Sequence, residues 1–180
     1  MKNLGYILRL SLTLLVITAV VAAALAGVNS ITAPKIAALN AEKTQQAVEA
    51  VLPGGGKLLE SFHDETGIVK EVYASEAGYA VKVTPSGFDK EITMMVGIRD
   101  GKVLGISIIS HTETAGLGAV AAAENAAGQA FRSQFAGLSG VLSVTKDGGQ
   151  VDAITGATIT SRAVVEGVNA ALACVVPING

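Results

Sequence analysis

The sequence has no tryptophan, a single cysteine, two histidines and four prolines, and charged residues make up only 16% of it. Each shortage closes off a class of chemistry. Cys174 has no second thiol with which to form an intramolecular disulfide, and His63 and His111 do not complete a ligand set for zinc, haem or an iron–sulfur cluster held by this chain alone. Cys174 lies in the apolar run 170–176 and reads as a small packing residue rather than a reactive thiol. The formal net charge is −2, and no basic stripe alternates with aromatics. A nucleic-acid partner therefore has no electrostatic footing.

What the chain has in quantity is apolar surface. Half of its 180 residues are hydrophobic and its mean hydropathy is +0.51, high for a soluble protein. Residues 10–28 carry no charge and follow Lys2 and Arg9. As a helix this run measures about 28 Å, close to the hydrocarbon thickness of a bilayer. The alternative is a cleaved signal peptide, with small residues at Ala22-Ala23-Ala24-Leu25-Ala26-Gly27 as a cleavage site. The apolar run exceeds a usual signal core, which favours a retained anchor. Basic residues ahead of it place the N-terminus in the cytoplasm and the rest outside, with Lys35 and Lys43 softening the bias.

Beyond the anchor, residues 29–51 form a loose apolar stripe among polar residues and predict a juxtamembrane helix with Pro34 in an early turn. Leu52-Pro53-Gly54-Gly55-Gly56 ends it and reads as a hinge. The expected layout is residues 1–9 cytoplasmic, 10–28 transmembrane, 29–56 juxtamembrane helix and hinge, and 57–180 an extracytoplasmic domain. Within that domain, runs at 69–74, 79–84, 92–98 and 103–109 are rich in Val, Ile and Tyr and predict strands. The Asp100-Gly101 pair between the last two is a hairpin signal. Further on, 120–136 predicts a helix irregular near Gly128, 138–144 and 151–154 predict short strands, and 158–175 a final helix. The fold class is α+β: a twisted antiparallel sheet with flanking helices.

Two stretches carry candidate chemistry. In Asp152-Ala153-Ile154-Thr155-Gly156-Ala157-Thr158-Ile159-Thr160-Ser161-Arg162 a short apolar run meets a glycine turn and then a cluster of hydroxyls opening a helix. One hydroxyl can simply cap that helix. Alternatively, one carries or cradles a phosphate, since first-turn amides and the helix dipole favour an anion there. Gly156 and Ala157 leave room for a bulky group, and Arg162 can add a charge-assisted contact. The second stretch, residues 111–119, is a polar loop holding Glu113, Gly116 and Gly118. His111 there reads as a surface or hydrogen-bonded residue. No strand within 57–110 carries a titratable cluster suited to acid–base catalysis.

Together the two stretches resemble a known pattern. Asp152-Ala153-Ile154-Thr155-Gly156-Ala157-Thr158 is similar to the flavinylation motif Asp-x-x-Ser/Thr-Gly-Ala-Thr of covalent FMN-binding domains, and Glu113-Thr114-Ala115-Gly116-Leu117-Gly118 resembles their Glu-Thr-Pro-Gly-Leu-Gly loop. With one N-terminal membrane helix, the whole chain resembles the G subunits of Rnf electron-transport complexes. It departs from the pattern at Ala115, where proline is usual, and at Ala153, where glycine is frequent. The resemblance implies one FMN per chain, joined through its phosphate to Thr158 by a separate flavin transferase that uses FAD and a divalent metal. It implies that Asp152, Thr155, Gly156 and Ala157 frame that site, and that Glu113, Thr114, Gly116 and Leu117 flank the flavin. It further implies an electron-carrying subunit with no catalytic site of its own, in a multi-subunit complex coupling ferredoxin/NAD electron transfer to Na⁺ or H⁺ movement. The equivalent subunit of Na⁺-translocating NADH:quinone reductase, another extracytoplasmic flavoprotein and a cofactor-free tethered domain are the alternatives.

Overall fold

Residues 92–98 show no polar–apolar alternation, and their surroundings explain why. A computed structural model describes residues 4–62 and 64–175; Lys2 and His63 lie outside the described residues. In it, β1 (Lys57–Leu58), β2 (Val69–Ser75), β3 (Gly78–Val83), β4 (Thr93–Arg99) and β5 (Lys102–Ser110) form an antiparallel sheet in sequence order. Both faces of β3 and β4 are covered. Val81, Val83, Met94, Val96 and Ile98 join the main core, whereas Ala80 and Met95 join a second cluster on the opposite face. A strand packed on two sides has no solvent face to mark with polar residues. The β4–β5 turn has positive φ at both Asp100 (52°) and Gly101 (70°), the primed geometry that the Asp-Gly pair predicts.

The main core is closed by α3 (Thr158–Val175), which buries Val164, Val168, Ala171 and Leu172. Cys174 is buried in the same layer and acts as a packing residue. The helix expected over 120–136 is two pieces: a 3₁₀ turn at Gly118–Ala122 and α2 (Ala126–Ser133). The break falls at Ala123, which is extended, and Asn125 restarts the chain by accepting a hydrogen bond from Gly128 N at 2.9 Å. Arg132 ties the pieces together by donating to the carbonyls of Ala121 and Ala123. Phe131 and Phe135 are both buried and meet edge to face at 5.5 Å.

The strands expected at 138–144 and 151–154 do not form. Pairing is limited to Ser139 with Lys102 and Val144 with Val151. Gly137 and Gly140, at φ 81° and 75°, turn the chain out of the extended region, and the Leu142 backbone is held by the Asn169 side chain instead of a neighbouring strand.

Ahead of the sheet, α1 (Leu4–Val51) is one continuous helix, with Pro34 inside it rather than in an early turn. The residues after Pro34 are mainly Ala, Leu, Glu, Lys and Gln, whose helix propensity offsets the lost donor. The chain divides into two compact units, Met1–Glu42 and Lys43–Gly180. In the first, residues 5–42 are exposed throughout, and the hydroxyls of Thr13, Thr18, Ser30 and Thr32 bond back to carbonyls of the preceding turn. This helix is long and apolar enough to cross a membrane by length and composition. In the second, Ala47, Val48, Val51 and Leu52 pack on the sheet face opposite α3. The domain thus begins before the glycine stretch. Leu52 is fully buried, and Gly55 N bonds to Leu52 O at 2.9 Å, so the stretch is a closed turn.

Candidate functional site

The site is built where α3 begins. Gly156 has φ 77°, and Ala157 N donates to Ile154 O at 2.9 Å to close the turn. Ser161 N donates to Ala157 O at 3.0 Å, the first bond of the helix. Ala157 therefore holds the N-cap position, where its methyl cannot cap, and Thr158 is the first helical residue. The amides of Thr158, Ile159 and Thr160 have no intrahelical partner and lie at the positive end of the helix dipole.

The hydroxyls of this turn have other tasks. Ser161 Oγ accepts from Ile154 N at 2.9 Å and donates to Ala157 O, which fixes the turn on the helix. Thr160 is buried and its hydroxyl donates to Glu113 Oε2. Thr158 Oγ1 accepts a bond from Lys146 Nζ at 2.9 Å. Lys146 belongs to a 3₁₀ turn, Thr145–Asp147, whose Asp147 is gripped by Arg162 through two bonds of 2.8 and 2.7 Å. The Arg162 hydrogen bonds hold the Asp147 carboxyl below its usual pKa, and the same bonds raise that of the guanidinium. Arg162, the cation to which the sequence points, is thus engaged by a carboxylate.

Glu113 is the other anchor. Its side chain is 7% exposed, and Oε1 accepts from Phe88 N at 2.8 Å while Oε2 meets Thr160. His111 Nδ1 accepts from Glu113 N at 3.2 Å, so His111 shapes the loop. Gly118 makes the approach possible, because a Cβ there would lie 2.5 Å from both Glu113 Oε2 and Thr160 Oγ1.

Between the loop and the helix start lies a cleft of about 270 Å³, lined by Phe88, Glu113, Thr114, Leu117, Gly118, Gly156, Ala157, Thr158, Ile159 and Thr160. Of the residues singled out from the sequence, Glu113, Thr114, Leu117, Gly156, Ala157 and Thr158 meet in its wall. Gly116, Asp152 and Thr155 do not. Gly116 turns the loop at φ 76°, Thr155 is exposed, and Asp152 is exposed with its backbone bonded to the Gln134 side chain. Sequence reasoning missed Phe88, Ile159 and Lys146 as site residues. Phe88 and Ile159 are apolar and at least half exposed in fragments read as a loop and a helix start; Lys146 gave no local signal.

The lining suits a phosphorylated aromatic group. Unpartnered first-turn amides and the Lys146 ammonium suit a phosphate, while Phe88, Leu117 and Ile159 offer exposed apolar surface to a planar ring. A Cβ at Gly156 would stand 3.0 Å from Leu117 Cδ2, so a larger residue there narrows the entrance.

Comparison with known proteins agrees with this geometry. Residues 87–173, which contain both walls of the cleft, match the FMN-binding domain family. The chain is 38% identical to the G subunit of the Na(+)-translocating ferredoxin:NAD(+) oxidoreductase complex of Acetobacterium woodii, over 91% of this chain and 88% of that one. It is 33% identical to the G subunit of the ion-translocating oxidoreductase complex of Methanosarcina acetivorans, over 96% of each. It is also 40% identical to the G subunit of the proton-translocating ferredoxin:NAD(+) oxidoreductase complex of Clostridium ljungdahlii, over 62% of this chain and 63% of that one. With near-full-length identity at this level, the chain belongs to the family of G subunits of Rnf-type ion-translocating oxidoreductase complexes.

Proposed function

We propose that this chain is a membrane-anchored electron-transfer subunit carrying one FMN as a phosphoester on Thr158, within a complex that couples electron transfer between ferredoxin and NAD to Na⁺ or H⁺ translocation. The observation that carries this reading is the meeting of two motifs distant in sequence across one cleft, with the Thr158 oxygen in its wall. The family match supports FMN as the group, and near-full-length relatives named as members of such complexes support the assembly.

Bound FMN supplies the redox chemistry, taking up and returning electrons through its isoalloxazine ring. The residues do the rest. Thr158 would hold the phosphate at the helix start, where the free first-turn amides would meet its charge. Phe88, Leu117 and Ile159 would offer the ring apolar surface, and Glu113, bonded to the Phe88 amide and the Thr160 hydroxyl, ties the loop to the helix start. Attachment uses a flavin transferase with FAD and a divalent metal: Thr158 Oγ1 attacks the FMN-side phosphorus, the pyrophosphate bond breaks, AMP leaves and the hydroxyl proton is released. The exposure of Asp152 and Thr155 supports their being read by that transferase.

The anchor is residues 10–28, with residues 1–9 cytoplasmic and the flavin domain on the outer side. An apolar helix exposed all round suits lipid, and its self-satisfied hydroxyls add no cost there. Tethering raises the effective concentration of the flavin near its partner proteins.

The test is direct. Full-length chain made with a flavin transferase fluoresces as a flavin on a denaturing gel and carries the added mass of FMN less water; Thr158→Ala loses both completely. Wild-type chain with neither signal ends the covalent-flavin reading.

A further inference from the structure

The turn Thr145–Asp147 touches two positions one helical turn apart on α3. Lys146 Nζ reaches Thr158 Oγ1 at 2.9 Å, and Asp147 engages Arg162. The turn is itself pinned, by Thr145 N to Val151 O at 2.8 Å and Gly149 N to Val144 O at 3.0 Å. Lys146 is therefore delivered to Thr158 by a fixed backbone and a two-bond clamp. The clamp bonds the Asp147 carboxylate to Arg162, though its charge still acts on the neighbouring Lys146. Among the described residues Lys146 forms no ion pair, and its ammonium ends on a neutral hydroxyl. An ammonium has three donors, so two remain for other acceptors.

We propose that Lys146 is the counter-charge of the phosphodiester formed on Thr158. Once Thr158 Oγ1 is esterified, the ammonium donates to the non-bridging phosphate oxygens, neutralises their charge and fixes the direction in which the attached group leaves the helix. Asp147 and Arg162 are positioning residues that hold the lysine there. This inference rests on the attachment of FMN to Thr158 and deepens it by naming the phosphate partner.

The experiment loads full-length apo-protein in detergent with flavin transferase, FAD and Mg²⁺, comparing wild type, Lys146→Met and Lys146→Arg. Lys146 is exposed, so the three apo-proteins are expected to melt together. Initial loading of the Met variant, read by in-gel flavin fluorescence, is expected to be about 10-fold slower, the lower range for a lost charge-assisted bond. Its attached flavin shows lower fluorescence anisotropy, and Arg restores most of both signals. A Met variant matching wild type in rate and anisotropy, or an Arg variant no better than Met, overturns the proposal while leaving Thr158 attachment intact. Wild-type protein that takes up no flavin, or carries it at a residue other than Thr158 by peptide mass, overturns the attachment reading and this one with it.

Discussion

Glu113 is where three separate segments are tied together. Its carboxylate takes the Phe88 amide from the β3–β4 connection and the Thr160 hydroxyl from α3, and its own backbone is held by His111. Because Thr160 is 2% exposed, losing the carboxylate strands a buried hydroxyl as well as the Phe88 amide. Leaving a buried donor unsatisfied costs about 1–3 kcal/mol. Glu113→Ala is therefore expected to destabilise the domain by about 2–3 kcal/mol. Glu113→Gln, which keeps one acceptor and lets the Thr160 hydroxyl rotate to accept, is expected to cost about 1 kcal/mol. Urea unfolding of the two variants beside wild type measures both. Equal midpoints for Ala and wild type would mean that the cleft wall is held by something other than this carboxylate. Away from the site, burial, then its hydrogen bond to Glu71, pushes the hydroxyl of the half-buried Tyr73 up to about 12.

At the scale of elements, the end of α1 behaves as part of the domain. Gly97 in β4 permits this, because a Cβ there would lie 2.3 Å from Val51 O and 2.9 Å from Val51 Cβ. On its other face β4 is backed by the main core, so neither layer has room to yield. Gly97→Ala is expected to cost about 2–3 kcal/mol, typical of overpacking. It should also open residues 43–56 to protease while far-UV circular dichroism keeps the sheet signal; an unchanged urea midpoint and digestion pattern would contradict the close approach. Which elements were legible follows the same physics. The runs that became β2 to β5 were bounded by Gly, Pro and Asp-Gly breaks, and α3 by a glycine turn, so local pattern was enough. At 138–144 the apolar pattern was correct but Gly137, Gly140 and the Asn169 side chain decided the backbone. In the site, the two motifs were legible through a family resemblance, whereas Phe88 reaches the cleft, and Lys146 the Thr158 hydroxyl, only through packing between separate segments.

The whole molecule combines a helix that is apolar and exposed on every side with a domain whose apolar residues are largely interior. An exposed surface of that kind is tolerated only where lipid or protein replaces water, which is why the first unit reads as an anchor. The proposed orientation rests on charge, since Arg9 and Lys2 precede the uncharged run, with Lys35 and Lys43 beyond it softening the bias. A single introduced thiol tests it, because the natural one is silent: Cys174 is 3% exposed and burial raises its pKa, so little reactive thiolate is available. Val141 is 88% exposed in the domain, which makes it a reporter position. In right-side-out membrane vesicles, Val141→Cys is expected to react with a membrane-impermeant maleimide to the same extent before and after permeabilisation, with unsubstituted protein unlabelled in both. The labelled chain should stay with the membrane through alkaline carbonate washing. Labelling that appears only after permeabilisation would put the flavin domain in the cytoplasm and reverse the proposed topology, while release by carbonate would remove the anchor altogether.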